Sequence, residues 1–168
     1  SAYNVAIGYA AGDAVTTGVQ NVLIGALAGD ALTDADFNIA IGHTALGLDT
    51  LGSRNIAIGH SALDAQNFTT ATNSYNVAVG HAAGTNVTTG IQNTLIGGLA
   101  GDALTDADFN IAIGFQALTT DTLGSQSVAI GTAALSVQNY TTATDALNVA
   151  VGYNAGAAVS TGFQNTII

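Results

Sequence analysis

The sequence contains no cysteine, proline, methionine, tryptophan, glutamate or lysine, and its single basic residue is Arg54. One arginine cannot line a groove for phosphates, which argues against nucleic-acid binding. Without cysteine there are no disulfides, zinc–thiolate sites or thiol nucleophiles. No apolar run is long enough to span a membrane, so we expect no membrane insertion.

The composition is instead apolar and acidic. Of the 168 residues, 48% are hydrophobic, 21 are glycine and 11 are aspartate, which gives a formal net charge of −10. This apolar fraction is too high for a disordered chain. Because the sequence does not begin with methionine, we expect an excerpt of a longer protein.

A short motif, Asn-x-Ala-Ile-Gly, recurs along the whole chain at intervals of 17, 17, 17 and 21 residues. The four units form a super-repeat of 72 residues, and residues 4–75 and 76–147 are identical at 50 of 72 positions. A partial third copy covers residues 148–168. We therefore predict a single repeat domain over residues 1–168. The ten motifs begin at Asn4, Asn21, Asn38, Asn55, Asn76, Asn93, Asn110, Ser127, Asn148 and Asn165.

Within each unit, β-branched residues alternate with small ones, as in Val5-Ala6-Ile7, and a glycine follows. This pattern predicts a short strand that ends in a turn. A unit of 17 residues suits one coil of a parallel β-solenoid. We predict an all-β fold of ten coils, with the Ile or Val three residues after each Asn in the core and the Asn side chains stacked as a ladder.

Coils this short enclose a thin core, which favours association with neighbouring chains. The residue two positions after each Asn is small in most units and bulky in every fourth, and we expect this column to face the axis of a homotrimer. Its members are Ala6, Leu23, Ala40, Ala57, Ala78, Leu95, Ala112, Ala129, Ala150 and Ile167. An ordinary monomeric solenoid is the alternative.

The motifs Asn55-Ile-Ala-Ile-Gly59, Asn76-Val-Ala-Val-Gly80 and Ser127-Val-Ala-Ile-Gly131 resemble the head repeats of YadA-like trimeric autotransporter adhesins. The longer pattern at 55–63 is also similar to repeats in bacteriophage tail fibres. The resemblance implies a left-handed parallel β-roll, three chains side by side, and an extracellular position on a virion or bacterial surface. Units of 17 and 21 residues are longer than the adhesin unit, which favours a tail fibre.

The two 21-residue units each carry four extra residues, in the segments 65–72 and 137–144, which must bulge from the wall of the coil. An aromatic ring between Asn and Thr could stack on a sugar while its neighbours bond hydroxyls. The candidate contacts with a host glycan or protein receptor are Asn67, Phe68, Thr69, Asn139, Tyr140 and Thr141. In the alternative interpretation, Phe68 and Tyr140 fold back to cover the coil or contact a neighbouring chain.

Three further features have competing interpretations. The Asp clusters at 30–36 and 102–108 are either calcium or magnesium sites or solvated loops. His43, His60 and His81 share one column and are either metal ligands or a stack of side chains. Arg54 stands between Phe37 and Tyr75 in its column, which predicts a cation–π sandwich.

No arrangement of residues resembles a catalytic site, so we predict a non-enzymatic protein without a cofactor or a bound metal. The leading hypothesis is a structural and host-attachment module of a trimeric bacteriophage tail fibre. A bacterial adhesin head is the alternative. An ice-binding solenoid is a third hypothesis, because Thr16, Thr33 and Thr50 belong to a Thr column, although a second rank of threonines is missing.

Overall fold

The computed structural model describes residues 2–168, and these form a parallel β-solenoid of about ten turns that contains no helix. Ten strands, one for each motif, stack into a parallel sheet in the order β1-β2-β3-β5-β7-β8-β9-β11-β13-β14. The pairs β4–β6 and β10–β12 form two small parallel sheets beside it. The predicted all-β solenoid is therefore confirmed.

The strands are short because each spans one side of a narrow coil. They are β1 (Val5–Ile7), β2 (Val22–Ile24), β3 (Ile39–Ile41), β4 (Gly52–Ser53), β5 (Ile56–Ile58), β6 (Thr72–Asn73), β7 (Val77–Val79), β8 (Thr94–Ile96), β9 (Ile111–Ile113), β10 (Gly124–Ser125), β11 (Val128–Ile130), β12 (Thr144–Asp145), β13 (Val149–Val151) and β14 (Thr166–Ile167).

The register follows the repeat without a slip. Val5 pairs with Val22, Val22 with Ile39, and Ile56 with Val77 across the longer unit. The four extra residues of that unit are accommodated outside the large sheet, next to β6. Each residue of the motif therefore stacks on its equivalent in the next coil.

A column of buried Asn side chains connects successive coils. The Oδ1 atom of Asn21 accepts the backbone N–H of Asn38 at 2.9 Å, and Asn38 Oδ1 accepts that of Asn55 at 2.9 Å. The Nδ2 atom of Asn21 donates across its own coil to the carbonyl of Ala35 at 2.7 Å. The predicted Asn ladder exists, but most of its bonds join a side chain to the backbone.

The prediction that the Val and Ile residues form the core is wrong. The interior holds the Ala/Leu column instead, with Ala40, Ala57 and Leu95 all 0% exposed. Residues two positions apart lie on the same face of a strand, so burying the Asn also buries the residue two positions later. Val and Ile at the intervening positions must then point outwards.

The proposed trimer-axis residues are consequently misplaced. They lie inside each chain and cannot face a neighbouring chain; only Ala6 and Ile167, in the end coils, are more than slightly exposed. The column is Ala6, Leu23, Ala40, Ala57, Ala78, Leu95, Ala112, Ala129, Ala150 and Ile167. A second column, the Ala residues seven positions after each Asn, also lies in the core.

The bulky residue in every fourth coil is explained by complementary volumes within the core. A Cβ atom on Gly84 would lie 2.6 Å from Leu95 Cδ1, and one on Gly101 would lie 2.7 Å from Leu95 Cδ2. Where the column holds Ala57 or Ala112 instead, the position equivalent to Gly84 holds a buried leucine, Leu63 or Leu118. The coil that holds Ala78 is small at both positions, and the space beside Gly84 is filled by Leu95 from the next coil and Leu63 from the preceding one.

Glycine is required at the corner that ends each strand of the large sheet. Gly25 has a φ of 132°, and a Cβ there would lie 2.5 Å from the carbonyl oxygen of Gly42 in the next coil. Side chains cannot adopt this conformation readily, and the stacking of coils leaves no room for one. This explains why the glycine recurs at the end of the motif.

The volume exchange predicts that Gly84→Ala and Leu95→Ala are energetically coupled. We expect Leu95→Ala alone to cost about 2–5 kcal/mol of unfolding free energy through the cavity it leaves. Gly84→Ala should cost less in the Leu95→Ala background than in the wild type, by about 1–2 kcal/mol, because the clash is removed. Denaturant unfolding of the four proteins measures this coupling.

The matched control combines Gly84→Ala with Leu23→Ala, which lies three coils or about 14 Å away if coils are about 4.8 Å apart. Those two changes should be additive. Coupling no larger than in this control would contradict the proposed packing.

Candidate functional site

Each bulge is organised around a buried carboxylate that the sequence analysis overlooked. Asp49 is 0% exposed, and its Oδ1 atom accepts the backbone N–H groups of Gly52 at 3.0 Å and Phe68 at 3.1 Å. Its Oδ2 atom accepts Gln66 Nε2 at 2.6 Å. Gln66 Oε1 in turn accepts Nδ2 of the ladder residue Asn76 at 2.8 Å. The buried charge is therefore hydrogen-bonded on both oxygens.

The second bulge repeats this arrangement. Asp121 accepts the backbone N–H groups of Gly124 and Tyr140, at 3.1 and 3.0 Å, and Gln138 Nε2 at 2.6 Å. The sequence carried a signal for these residues, because Asp and Gln occupy a column that holds Val15 and Leu32 in the first two coils. A polar pair in an apolar column indicates an internal hydrogen bond.

The structure buries the two aromatic rings that were predicted to contact a receptor. Phe68 is 5% exposed and Tyr140 is 7% exposed. Both rings pack into the wall of the coil, as the alternative interpretation had it, and neither offers a face to a sugar in this conformation. The Tyr140 hydroxyl donates to the carbonyl of Gly162 at 2.7 Å.

The polar candidates beside these rings are exposed. They are Asn67, Thr69, Asn139 and Thr141. Two of them lie within hydrogen-bonding distance of a threonine hydroxyl, with Asn67 Oδ1 3.2 Å from Thr50 Oγ1 and Asn139 Oδ1 3.1 Å from Thr122 Oγ1. Each bulge therefore presents hydrogen-bonding groups on a defined backbone, without an aromatic platform.

The two Asp clusters do not assemble into metal sites: within residues 2–168, no group of three or more His, Cys, Asp or Glu side chains could hold a metal ion. Asp34 accepts a hydrogen bond from Thr17 Oγ1 at 2.5 Å, and Asp36 accepts the backbone N–H of Val19 at 2.8 Å. These carboxylates connect one coil to the preceding one.

Two carboxyl groups on the wall have raised pKa values. Burial raises the pKa of Asp108, although the N–H of Ile91 donates to it, and Asp106 adds a repulsive charge. Burial also raises the pKa of Asp64, while His60 opposes the shift. Both groups therefore favour the neutral form more in the fold than in water, which is typical of carboxylates in a chain with almost no cations.

The planar side chains on the edges of the large sheet stack along the solenoid. His43, His60 and His81 are separated by 5.3 Å between ring centroids, with 11° between planes. The Arg54 guanidinium lies 4.6 Å from the centre of the Phe37 ring and 5.9 Å from that of Tyr75. The predicted cation–π sandwich is confirmed, and the histidines form a stack of side chains.

The outward face of the large sheet is mostly apolar. It carries two parallel ranks, which we call the Val/Ile face. One rank is Val5, Val22, Ile39, Ile56, Val77, Thr94, Ile111, Val128, Val149 and Thr166, and the other is Ile7, Ile24, Ile41, Ile58, Val79, Ile96, Ile113, Ile130, Val151 and Ile168. Most of these side chains are half-buried by their neighbours, and Ile96 and Ile111 are each 37% exposed.

No family model matches this chain, and neither the curated proteins nor the solved structures contain a match. In the part of the chain that the structure describes, no helix has the length and apolar character needed to cross a membrane.

The internal hydrogen bonds of the first bulge predict the effect of Asp49→Asn. An Asn amide would keep the two backbone N–H donors on its oxygen but turn an NH₂ group towards the Gln66 NH₂ group. Gln66 cannot reverse without losing its bond to Asn76. We expect a loss of about 1–3 kcal/mol in unfolding free energy, measured by denaturant unfolding.

The double variant Asp49→Asn/Gln66→Glu exchanges the acceptor and the donor and should recover most of the loss. Asp64→Asn, at a partly exposed position on the wall, is the control for removing a charge. If Asp49→Asn were no more destabilising than Asp64→Asn, the carboxylate would not organise the bulge.

Proposed function

We propose that this chain is a structural and host-attachment module of a trimeric surface fibre, and that three chains pack through the Val/Ile face. We favour a bacteriophage tail fibre as the fibre to which the chain belongs. The solenoid provides a rod, the Val/Ile face provides the contact between chains, and the bulges provide exposed polar groups.

The distribution of charge is the observation that carries the proposal. None of the eleven aspartates lies on the Val/Ile face or in the two columns that flank it, which contain Arg54 and His60 respectively. All other outward columns of the coil hold carboxylates or border them. Because each chain carries a net charge of −10, copies that met through another face would repel one another.

The dimensions of the face also suit an interface. Ten strands about 4.8 Å apart give ranks about 43 Å long, and the two ranks with their flanking columns are about 20 Å wide. This corresponds to roughly 800 Å² on each chain, the size of a standard protein interface. The two apolar ranks would form the centre of that interface, and the flanking columns, with residues such as Arg54 and His60, would form its polar rim. The number three comes from the motif resemblance.

The attachment role rests on repetition of the bulges. The two bulges lie four coils apart, or about 19 Å, on the same side of the rod. Three chains would present six such sets of polar groups, and contacts that are weak individually become strong when several bind one surface. The candidate contacts are Asn67, Thr69, Asn139 and Thr141, with Phe68 and Tyr140 held inside.

A bacterial trimeric adhesin head would use the same surfaces and is the alternative to a tail fibre.

The ice-binding hypothesis is weakened by the hydrogen bonds of the Thr column, because Thr16 Oγ1 and Thr33 Oγ1 donate to the carbonyls of Thr33 and Thr50, at 3.2 and 3.1 Å. Those hydroxyl groups are engaged by the solenoid itself. A thermal-hysteresis measurement on the rod distinguishes this hypothesis from the fibre.

The assembly predicts that carboxylates placed on the Val/Ile face separate the chains. We expect the wild type to have three times the mass of the chain in multi-angle light scattering, and Ile58→Asp/Ile113→Asp to have the mass of one chain. Both residues point outwards, so the solenoid itself should keep its circular dichroism spectrum.

The matched control is Thr85→Asp/Ser136→Asp, which adds the same charge to a column that already carries Asp64 and Asp102; it should remain trimeric. A monomeric wild type would contradict the assembly.

For attachment, the trimer should bind immobilised host-surface glycans or host cells, and Asn67→Ala/Asn139→Ala should weaken binding without changing the mass. If binding were unchanged in this variant, the bulges would not be the site of attachment.

A further inference from the structure

We infer that the first bulge opens locally, together with the residues that follow it up to position 74, while the rod stays folded. The second bulge is held closed by bonds that the first one lacks. The segments compared are residues 66–74 and 138–146. The two segments have the same length, occupy equivalent coils and share the buried Asp–Gln pair. Their differences are therefore a controlled comparison within one molecule.

The first difference is the aromatic residue. Tyr140 OH donates to the carbonyl of Gly162 at 2.7 Å, which ties the second bulge to the following coil. Burial raises the pKa of this hydroxyl, which keeps it protonated as a donor. Phe68 occupies the equivalent place and makes no such bond, although the equivalent carbonyl of Gly90 is present and accepts Asn76 Nδ2 at 2.7 Å.

The second difference lies at the base of the bulge. In the second copy, Gln138 Nε2 also donates to Ser127 Oγ at 3.0 Å, and the backbone N–H of Leu123 donates to the carbonyl of Tyr140 at 3.2 Å. In the first copy Ser127 is replaced by Asn55, whose buried Nδ2 atom has no hydrogen-bond partner. A buried donor without a partner costs about 1–3 kcal/mol relative to the open state, where water satisfies it.

The first copy has compensating bonds, but they are fewer around the ring. Ser74 Oγ donates to Asn55 Oδ1 at 2.9 Å, and Arg54 Nε donates to Asn73 Oδ1 at 3.1 Å at the exposed end of the bulge. Neither holds the Phe68 ring. Opening of this segment therefore releases an apolar ring next to the polar candidates Asn67 and Thr69, which the closed structure does not present. The inference does not depend on the number of chains in the assembly.

Amide hydrogen exchange of the full chain, read by mass spectrometry on peptides covering 66–74 and 138–146, tests this inference. Phe68→Tyr should let the new hydroxyl reach the Gly90 carbonyl and slow exchange in 66–74 about threefold to tenfold, with 138–146 unchanged. Tyr140→Phe should accelerate exchange in 138–146 by a similar factor, with 66–74 unchanged.

Because each comparison is made at one site, the distance of a bulge from the end of the rod does not affect it. The Tyr140→Phe variant only removes an oxygen atom and gives the second bulge the aromatic residue of the first, so it keeps the test valid if Phe68→Tyr disturbs folding. The inference is overturned if neither variant changes exchange in its own bulge, or if both variants change exchange throughout the rod.

Discussion

The buried Asn ladder is the constraint on which the rest of the structure depends. Each Asn that has a following coil bonds the backbone N–H of that coil through Oδ1 and, in most coils, a carbonyl across its own coil through Nδ2, as Asn93 does with Asn110 and Ala107. Ser127 is the one interruption of this ladder. The ladder thus satisfies backbone groups that a narrow interior could not hydrate. It also fixes the register, because a slip of one residue would move each Asn side chain from the inner to the outer face of its strand.

The direction of every strand side chain follows from the burial of the Asn ladder. With Asn inside, Ala or Leu two residues later is inside as well, and Val and Ile face outwards as a continuous apolar surface without carboxylates. The core is consequently made mainly of Ala and Leu and is thin, which connects the internal chemistry of a coil to the expected association of chains. Where the longer units interrupt the pattern, a buried Asp–Gln pair takes the place of the apolar column.

The repeat period, the parallel stacking, the Asn ladder and the Arg54 sandwich could be predicted from the sequence, because a 17-residue period places equivalent residues on top of one another. The inside and outside of the strand could not be assigned from hydrophobicity, since Ile and Val outrank Ala on any such scale and the amide ladder overrides it. The sequence allowed both an exposed and a buried Phe68, and the choice between them depends on Asp49, which binds the Phe68 N–H from the preceding coil. Nor did the sequence mark corners where Phe37 and Arg54 adopt positive φ values of 60° and 67°.

The central claim is that buried amides, rather than apolar burial, hold the coils in register, and replacing one rung tests it most directly. Asn93→Ala would leave the carbonyl of Ala107 and the N–H of Asn110 buried without partners, whereas Asn86→Ala removes an exposed amide that donates to the carbonyl of Asp102. By denaturant unfolding, we expect Asn93→Ala to lower the free energy of unfolding by about 2–6 kcal/mol and Asn86→Ala by less than about 1 kcal/mol. Equal losses for the two variants would contradict the account.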